Sequence, residues 1–407
     1  MTPPTNTTTT YLGELRVSWQ SLAAATAGLS AGLSLSAYTN AAMAPRFLEE
    51  FHWNRSELVL TGVITLLTFV FLPIYGRLTD LFGVRRIALI GVIGLPTCWI
   101  GYASMSGPIW QYFAINVVAI ALGVTTTPAI YSRIVVTCFA KARGLALAVA
   151  ISGPPLLGAV GSPALDLVNR THGWRAGCLT IAVAIALLGG LAMTLIPADK
   201  ASAPAGHRNR ADYRAIAGSP VFWTLLAAVL LCNLYHSVTT SQLGVVLGDS
   251  LGSAESVAVL ISVFATAVIL GRFVCGLALD RFPAHLVAAV AMALPGLGCL
   301  LIATPWDGFA VLVAAVCCLG AAWGAEGDVI AYLVASRFEL DIYSTVLSAL
   351  SAGIGVSSAL GAFILSRTLH VSDSFNGFLV FAGIAAVGGG ALFLLLGRAR
   401  TGADSAH

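Results

Sequence analysis

The chain has 407 residues, of which 58% are hydrophobic and only 10% charged, with a formal net charge of +3. A soluble domain keeps about a quarter of its residues charged. This composition, with a mean hydropathy of +0.89, therefore excludes water as the medium around most of the surface and points to lipid. No basic run exceeds two residues, which excludes a nucleic-acid partner. The cysteines lie scattered in apolar runs without CxxC or Cys/His spacing, so neither a zinc site nor a disulfide framework is indicated, and they fit as small packing residues.

In chain order, the first sixteen residues are Thr-rich with one Glu and one Arg, unlike a cleavable leader; the first helix is expected to serve as its own targeting signal. A spanning helix needs about 20 largely uncharged residues. Uncharged runs occur at 17–45, 58–76, 87–132, 144–165, 176–198, 215–248, 282–306, 342–366 and 374–397. The run 87–132 is long enough for two helices, with Gly107-Pro108 as the break. Two further apolar segments, 256–279 and 309–335, are interrupted only by Arg272 and by Glu326 and Asp328. The expectation is an all-α membrane protein of twelve spanning helices. Fourteen Lys and Arg then fall on one side and five on the other, with Arg133 and Arg272 inside, so both termini are expected in the cytoplasm of a cell with an inner membrane.

The polar stretch 199–214 separates two six-helix halves, 1–198 and 215–407, and reads as a cytoplasmic linker. The halves repeat at an offset of 200: Gly76 with Gly276, Asp80 with Asp280, Phe82 with Phe282, Gly153 with Gly353, Gly161 with Gly361. Such duplication with a midplane site is a transporter plan.

The loop after the second helix, GRLTDLFGVRR at 76–86, resembles the signature G-x-x-x-D-x-x-G-x-R-R of the major facilitator superfamily. A degenerate copy, GLALDRF, stands at 276–282. The resemblance implies alternating access by rocking halves, with Gly76, Asp80, Gly83, Arg85 and Arg86, and in the copy Gly276, Asp280 and Arg281, as the conformational motif. The chemistry is compatible: Gly76 permits close helix approach, and Asp80 suits a neighbouring helix N-terminus. Arg85 and Arg86 can answer that carboxylate and the anionic leaflet, or simply reflect positive-inside topology.

The segment CFAKARGLALAVAISGPPLLG at 138–158 resembles a motif of the monocarboxylate porters and their oxalate/formate-exchanging relatives. Phe139, Lys141, Arg143, Leu145, Ala146, Ala150 and Gly153 match, whereas Ala142 and Ala148 depart. In ILGRFVCG at 269–276, Arg272 takes the place of that family's substrate-pairing arginine. Val268 stands where the animal porters have an acid one turn earlier, and segment 17–45 has no lysine. A single deep cation suits a monoanion better than a dianion.

Arg272 also stands out on physical grounds. It lies eight residues before Asp280, roughly 12 Å into the bilayer at about 1.5 Å per residue. A cation there needs an anion, and the sequence leaves open whether that is substrate, Asp280 or Glu326. Glu326 and Asp328 are two residues apart, about 200° around a helix, so they cannot share one face. Each is open between proton carrier and salt-bridge partner. Arg133 is open between a cavity cation and a snorkelling side chain. His236, amid Asn233 and Tyr235, is open between packing and binding. Tyr38, Thr39 and Asn40 form a second polar cluster on the first helix, Tyr131 would shape the N-terminal half, and the Pro154-Pro155 pair offers a hinge.

The expected protein is a secondary transporter of a small organic monoanion, coupled to protons, monomeric in the bilayer, needing no metal or cofactor. The candidate substrate residues are Arg272, His236, Tyr38, Asn40, Tyr131, Asn233 and Tyr235, and the candidate proton carriers are Glu326 and Asp328. A proton-coupled drug exporter is the alternative within the superfamily, and a transporter-like sensor the alternative outside it. The intramembrane polar groups show no nucleophile–base pattern, so an enzyme is not expected.

Overall fold

Proline and glycine placement sets where the helices of this chain begin and end. The computed structural model describes residues 10–53, 64–197, 209–251, 254–304 and 308–398, and these are helical, with no strand among the described residues. We number the helices α1 (Tyr11–Val17), α2 (Trp19–Ser30), α3 (Ser36–Phe51), α4 (Leu67–Phe82), α5 (Val84–Ala103), α6 (Ile109–Gly123), α7 (Pro128–Cys138), α8 (Arg143–Ile151), α9 (Gly153–His172) and α10 (Trp174–Leu195). They continue as α11 (Asn209–Gly218), α12 (Pro220–Cys232), α13 (His236–Ser241), α14 (Leu243–Leu251), α15 (Ala254–Arg281), α16 (Ala284–Ile302), α17 (Phe309–Arg337), α18 (Tyr343–Ser372) and α19 (Asn376–Arg398).

Among the described residues, nine helical stretches are long and apolar enough to cross a membrane, and α11 with α12, bent by 65°, makes a tenth. Adding α2–α3 and α4 gives a succession of twelve segments. Large apolar side chains are exposed along them, such as Leu187 at 69%, Val290 at 66% and Ile384 at 63%, the pattern of faces that meet lipid. The break at Gly107-Pro108 is present: Gly107 has φ +131° and Pro108 precedes α6. A one-residue turn at Ser152 precedes the Gly153-Pro154-Pro155 run, yet α8 and α9 form one continuous span, because Leu156 N–H donates to the Ser152 carbonyl at 3.2 Å across the junction.

By internal contacts the chain divides into two units, 1–205 with 339–348, and 206–338 with 349–407. Of the expected linker, 199–208 lies outside the described residues, whereas 209–214 opens α11. In the first unit, an aromatic cluster of Phe47, Trp99, Tyr102, Tyr112 and Trp174 ties together α3, α5, α6 and α10. In the second, Leu247, Leu260, Leu319 and Phe378 centre a core shared by α14, α15, α17 and α19.

Three expected single spans are broken mid-course. The first breaks into α2 and α3 at a 3-10 turn, Leu33–Leu35, and the fourth into α6 and α7 at another, Val124–Thr126. The two breaks interlock: Leu33 N–H donates to Thr126 Oγ1 at 3.0 Å, and a Cβ at Gly32 would press on the Thr126 carbonyl at 2.5 Å. The seventh breaks at 233–235 and again at Gln242. Here a Cβ at Gly361 would strike the Leu234 carbonyl, and the Ser357 hydroxyl donates to the Leu230 carbonyl at 2.5 Å. Interrupted helices of this kind expose backbone polar groups, tolerable in a bilayer only where protein or a cavity surrounds them.

Candidate functional site

In the second unit, α15 and α17 lie backbone against backbone. A Cβ at Gly320 would meet the Phe264 carbonyl at 2.6 Å, and Cβ atoms at Gly271 and Gly324 would overlap the α17 and α15 main chains. Small residues permit this approach, as between helices in lipid generally. The close seam brings Arg272 of α15 to Asp328 of α17, with Nη1 3.9 Å from Oδ1. The Asp328 side chain is fully buried and that of Arg272 is 12% exposed. Neither Asp328 oxygen has a hydrogen-bond partner, nor does Arg272 Nη1. At 3.9 Å the pair attracts through charge without a hydrogen bond.

Glu326, two residues earlier, points elsewhere. Its Oε2 lies 3.0 Å from His236 Nε2 at the start of α13 without hydrogen-bond geometry, so that neither His236 Nε2 nor Glu326 Oε1 has a hydrogen-bond partner. The imidazole stacks on Trp323, centroids 4.3 Å apart and planes 15° apart, and meets Tyr235 edge-on at 4.8 Å. The helical rotation between 326 and 328 thus places the Arg272–Asp328 ion pair and the His236–Glu326 contact on different sides of α17. The partner of Arg272 is Asp328, and neither Asp280 nor Glu326 fills that place.

Asn233 is fully buried; its amide donates to the Val229 carbonyl at 2.8 Å, and its Oδ1 has no partner. Tyr235 is buried beside His236. In the first unit, Tyr131 is fully buried with an unpartnered hydroxyl, its ring against Gly28. Tyr38 lies on α3 with its ring against Gly158, exposed, and Asn40 is half-buried. Tyr131 and Tyr38 therefore sit by different helices, whereas His236, Tyr235, Arg272, Glu326 and Asp328 all converge on α17 or its neighbours.

The motif at 76–86 builds a second polar centre. Gly76 has no room for a Cβ because Ser344 and Ser348 of α18 press against it. Gly83, at φ +85°, ends α4 in a conformation that favours glycine. Asp80 is buried at the N-terminus of α18, whose first turn belongs to this unit: Oδ1 accepts from Ser344 N–H at 3.0 Å, and Oδ2 from Thr345 N–H at 2.7 Å and the Thr345 hydroxyl at 2.6 Å. This satisfies donors that a helix start leaves unpaired. The cation on Asp80 is Arg133, which is thus neither a cavity cation nor a snorkelling side chain. Arg85 and Arg86 are exposed. Next to this centre, Ser132 Oγ and the Tyr343 hydroxyl lie 2.9 Å apart. In the second copy, Gly276 is buried, Asp280 half-buried and Arg281 exposed.

The sequence analysis did not single out Trp323, in the stretch WGAEGD, or Tyr343, in DIYST. Trp323 lies three residues before Glu326, the spacing that shares a helix face, so the intramembrane acid was the available pointer. Among the described residues, no three of His, Cys, Asp and Glu come together as a metal site.

Interrupted helices, buried polar atoms and a succession of apolar segments long enough to span a bilayer define a polytopic membrane protein. The chain belongs to the major facilitator superfamily, whose model matches residues 21–362. A search of curated protein sequences finds no significant match. The fold is similar to that of a variant of the E. coli fucose:proton symporter, with TM-score 0.68 and 14% identity over 92% of this chain and 98% of that one. It is similar to the proton:xylose symporter bound to 6-bromo-6-deoxy-D-glucose, with TM-score 0.67 and 14% identity over 95% and 94%. It is also similar to a bacterial homologue of the iron transporter ferroportin in an outward-facing state, with TM-score 0.70 and 14% identity over 94% and 100%.

Proposed function

We propose that this transporter carries a small organic monoanion together with a proton, by alternating access of two six-helix halves, 1–198 and 215–407, joined by 199–214. We place it in an inner membrane as a monomer with both termini cytoplasmic. The observation that carries the substrate reading is Arg272, a buried guanidinium whose Nη1 has no hydrogen-bond partner and whose nearest countercharge stands at 3.9 Å. The guanidinium fork can take a carboxylate through two parallel hydrogen bonds, which Asp328 does not supply here.

Asp328 accounts for the coupling. While it is ionised, it neutralises Arg272 and competes with a substrate carboxylate. A proton added to Asp328 removes the competitor, and leaves a buried cation that is costly, by about 3–5 kcal/mol for a broken buried pair. The arriving anion offsets that cost, so each state with only one of the two bound is disfavoured. Proton and monoanion then cross together as a neutral load. Two structures of similar fold are of proton-linked sugar symporters, which is compatible with such coupling.

The test is a thermal-shift panel of purified protein against organic monoacids, diacids, amines and sugars, followed by binding to Arg272 variants. Ligand binding to the folded state raises the melting temperature. Monoacids should stabilise the wild type, more so at lower pH. Arg272→Lys should weaken binding and Arg272→Ala abolish it, a loss on the order of 2–5 kcal/mol. Wild-type affinity in both folded variants overturns the monoanion reading.

A further inference from the structure

Away from the buried charges, α15 and α16 leave a space between them. Both pack along α17, but beyond their shared turn at Phe282-Pro283 they touch each other little. Between them runs a groove of about 370 Å³, walled by α15 and α16 and floored by Ala321 and Ala325 of α17. Its rims are large, exposed side chains, Val274 and Phe282 on α15 and its turn, Leu286 and Val290 on α16. Apart from the Cys275 thiol, the lining is hydrocarbon.

The length of the groove fits one leaflet of a bilayer. From Gly271 to Phe282 it runs roughly 16 Å, at about 1.5 Å per helical residue. That is about half of a hydrocarbon core of roughly 30 Å, the depth of one acyl chain. One end opens at the turn between the helices. The other stops where Gly271 and Ala321 bring the main chains of α15 and α17 together. Polar solutes find no partner in such a lining. A lipid chain seated there gains by close packing alone, since it leaves surroundings as apolar as leucine. Specificity must then come from the head end.

At the head end the exposed charge is a cation. Val274, Ala278 and Arg281 follow at steps of four and three, so Arg281 continues the groove-facing stripe of α15 to its last turn. Arg281 is exposed, whereas Asp280 beside it is half-buried. His285, in the first turn of α16, has its ring against Gly397 of α19. A guanidinium holds a phosphate through parallel hydrogen bonds, and a cation at the membrane surface attracts anionic lipid.

We infer that this groove binds a phospholipid with an anionic headgroup. One acyl chain lies between α15 and α16, and the lipid phosphate meets Arg281. The end of the chain packs behind the seam at Gly271, one residue from Arg272, so the lipid buttresses the contact that holds Arg272 near Asp328. The site takes a membrane component and not the transported solute, and it does not depend on which solute that is.

The test is native mass spectrometry of the purified, delipidated full-length protein. The probes are dioleoyl phosphatidylglycerol, dioleoyl phosphatidylcholine and glycerol phosphate. Phosphatidylglycerol should bind at least about fivefold tighter than phosphatidylcholine, equivalent to about 1 kcal/mol for one cation near an anionic group. Glycerol phosphate, which lacks the chains, should give no adduct at the same concentrations. Arg281→Gln should erase the preference between the two lipids. Ala278→Trp fills the groove and should weaken both by about tenfold or more. Equal wild-type affinities for the two lipids, a preference retained in Arg281→Gln, full binding by Ala278→Trp, or tight binding of glycerol phosphate overturns the proposal. So does a lipid-free dimer that Ala278→Trp abolishes, which would make the groove a contact between copies. If the variants fail to fold, the wild type decides. Phosphatidylglycerol with a diazirine in mid-chain should label peptides within 271–294, and labelling confined to other segments overturns the site.

Discussion

The Thr345 backbone N–H and the Thr345 hydroxyl both donate to a single oxygen of Asp80, at 2.7 and 2.6 Å. The other carboxylate oxygen takes Ser344 N–H and the Arg133 guanidinium. One buried side chain therefore satisfies a helix start and neutralises a buried cation at once. Asp80→Ala removes both functions, and an unpaired buried charge costs about 3–5 kcal/mol. We expect a marked fall in melting temperature for Asp80→Ala and for Arg133→Ala. The double variant should be no less stable than the worse single one, since the two share one interaction. Additive losses in detergent melts would separate the residues.

Asp328→Asn mimics the protonated carboxyl permanently. Accumulation of the anion driven by a pH gradient across proteoliposomes should fall by more than about tenfold, equivalent to about 1.4 kcal/mol, while exchange of labelled for unlabelled substrate continues. Glu326→Gln should keep gradient-driven accumulation. The reverse pattern would transfer the coupling role to Glu326.

Tyr131 offers a sign test. Its hydroxyl is buried without a partner, so removing it deletes no hydrogen bond and relieves a desolvated polar group. Tyr131→Phe should melt at or slightly above the wild-type temperature. If the hydroxyl serves the substrate, affinity should drop by about tenfold, equivalent to about 1.4 kcal/mol. A destabilised variant with unchanged affinity would mark Tyr131 as packing alone.

Orientation is checked by reporter fusions. The bias of fourteen cations against five predicts a cytoplasmic signal from fusions at Pro204 and at the C-terminus. A periplasmic signal from either fusion would contradict that side assignment.

Much of the architecture could be read from local chemistry. Gly107-Pro108 ends one helix and starts the next because φ +131° favours glycine and a proline suits a helix start, and both facts reside in two adjacent residues. The breaks within the first and seventh segments carry no proline. They form because Gly32 and Gly361 let another segment's backbone in, which is a property of the neighbour as much as of the glycine. The same limit applies to the charges. Their depth singled out Arg272, Glu326 and Asp328, but Arg133 and Asp80 lie 53 residues apart in sequence, and only packing chose that pairing. Trp323 became visible only once its ring had a histidine on it.

The seam between α15 and α17 has a consequence for how this chain can vary. Where Gly271, Gly320 and Gly324 bring main chain onto main chain, no single methyl can be added without parting the helices, and therefore without drawing Arg272 away from Asp328. In a saturation library these three positions should tolerate almost nothing, while Leu270 and Val274, exposed at 60% and 66%, accept most apolar replacements. The tolerance map of α15 should alternate between fixed and permissive faces with the period of the helix, and a larger residue at Gly324 should survive only alongside a compensating change near Val268.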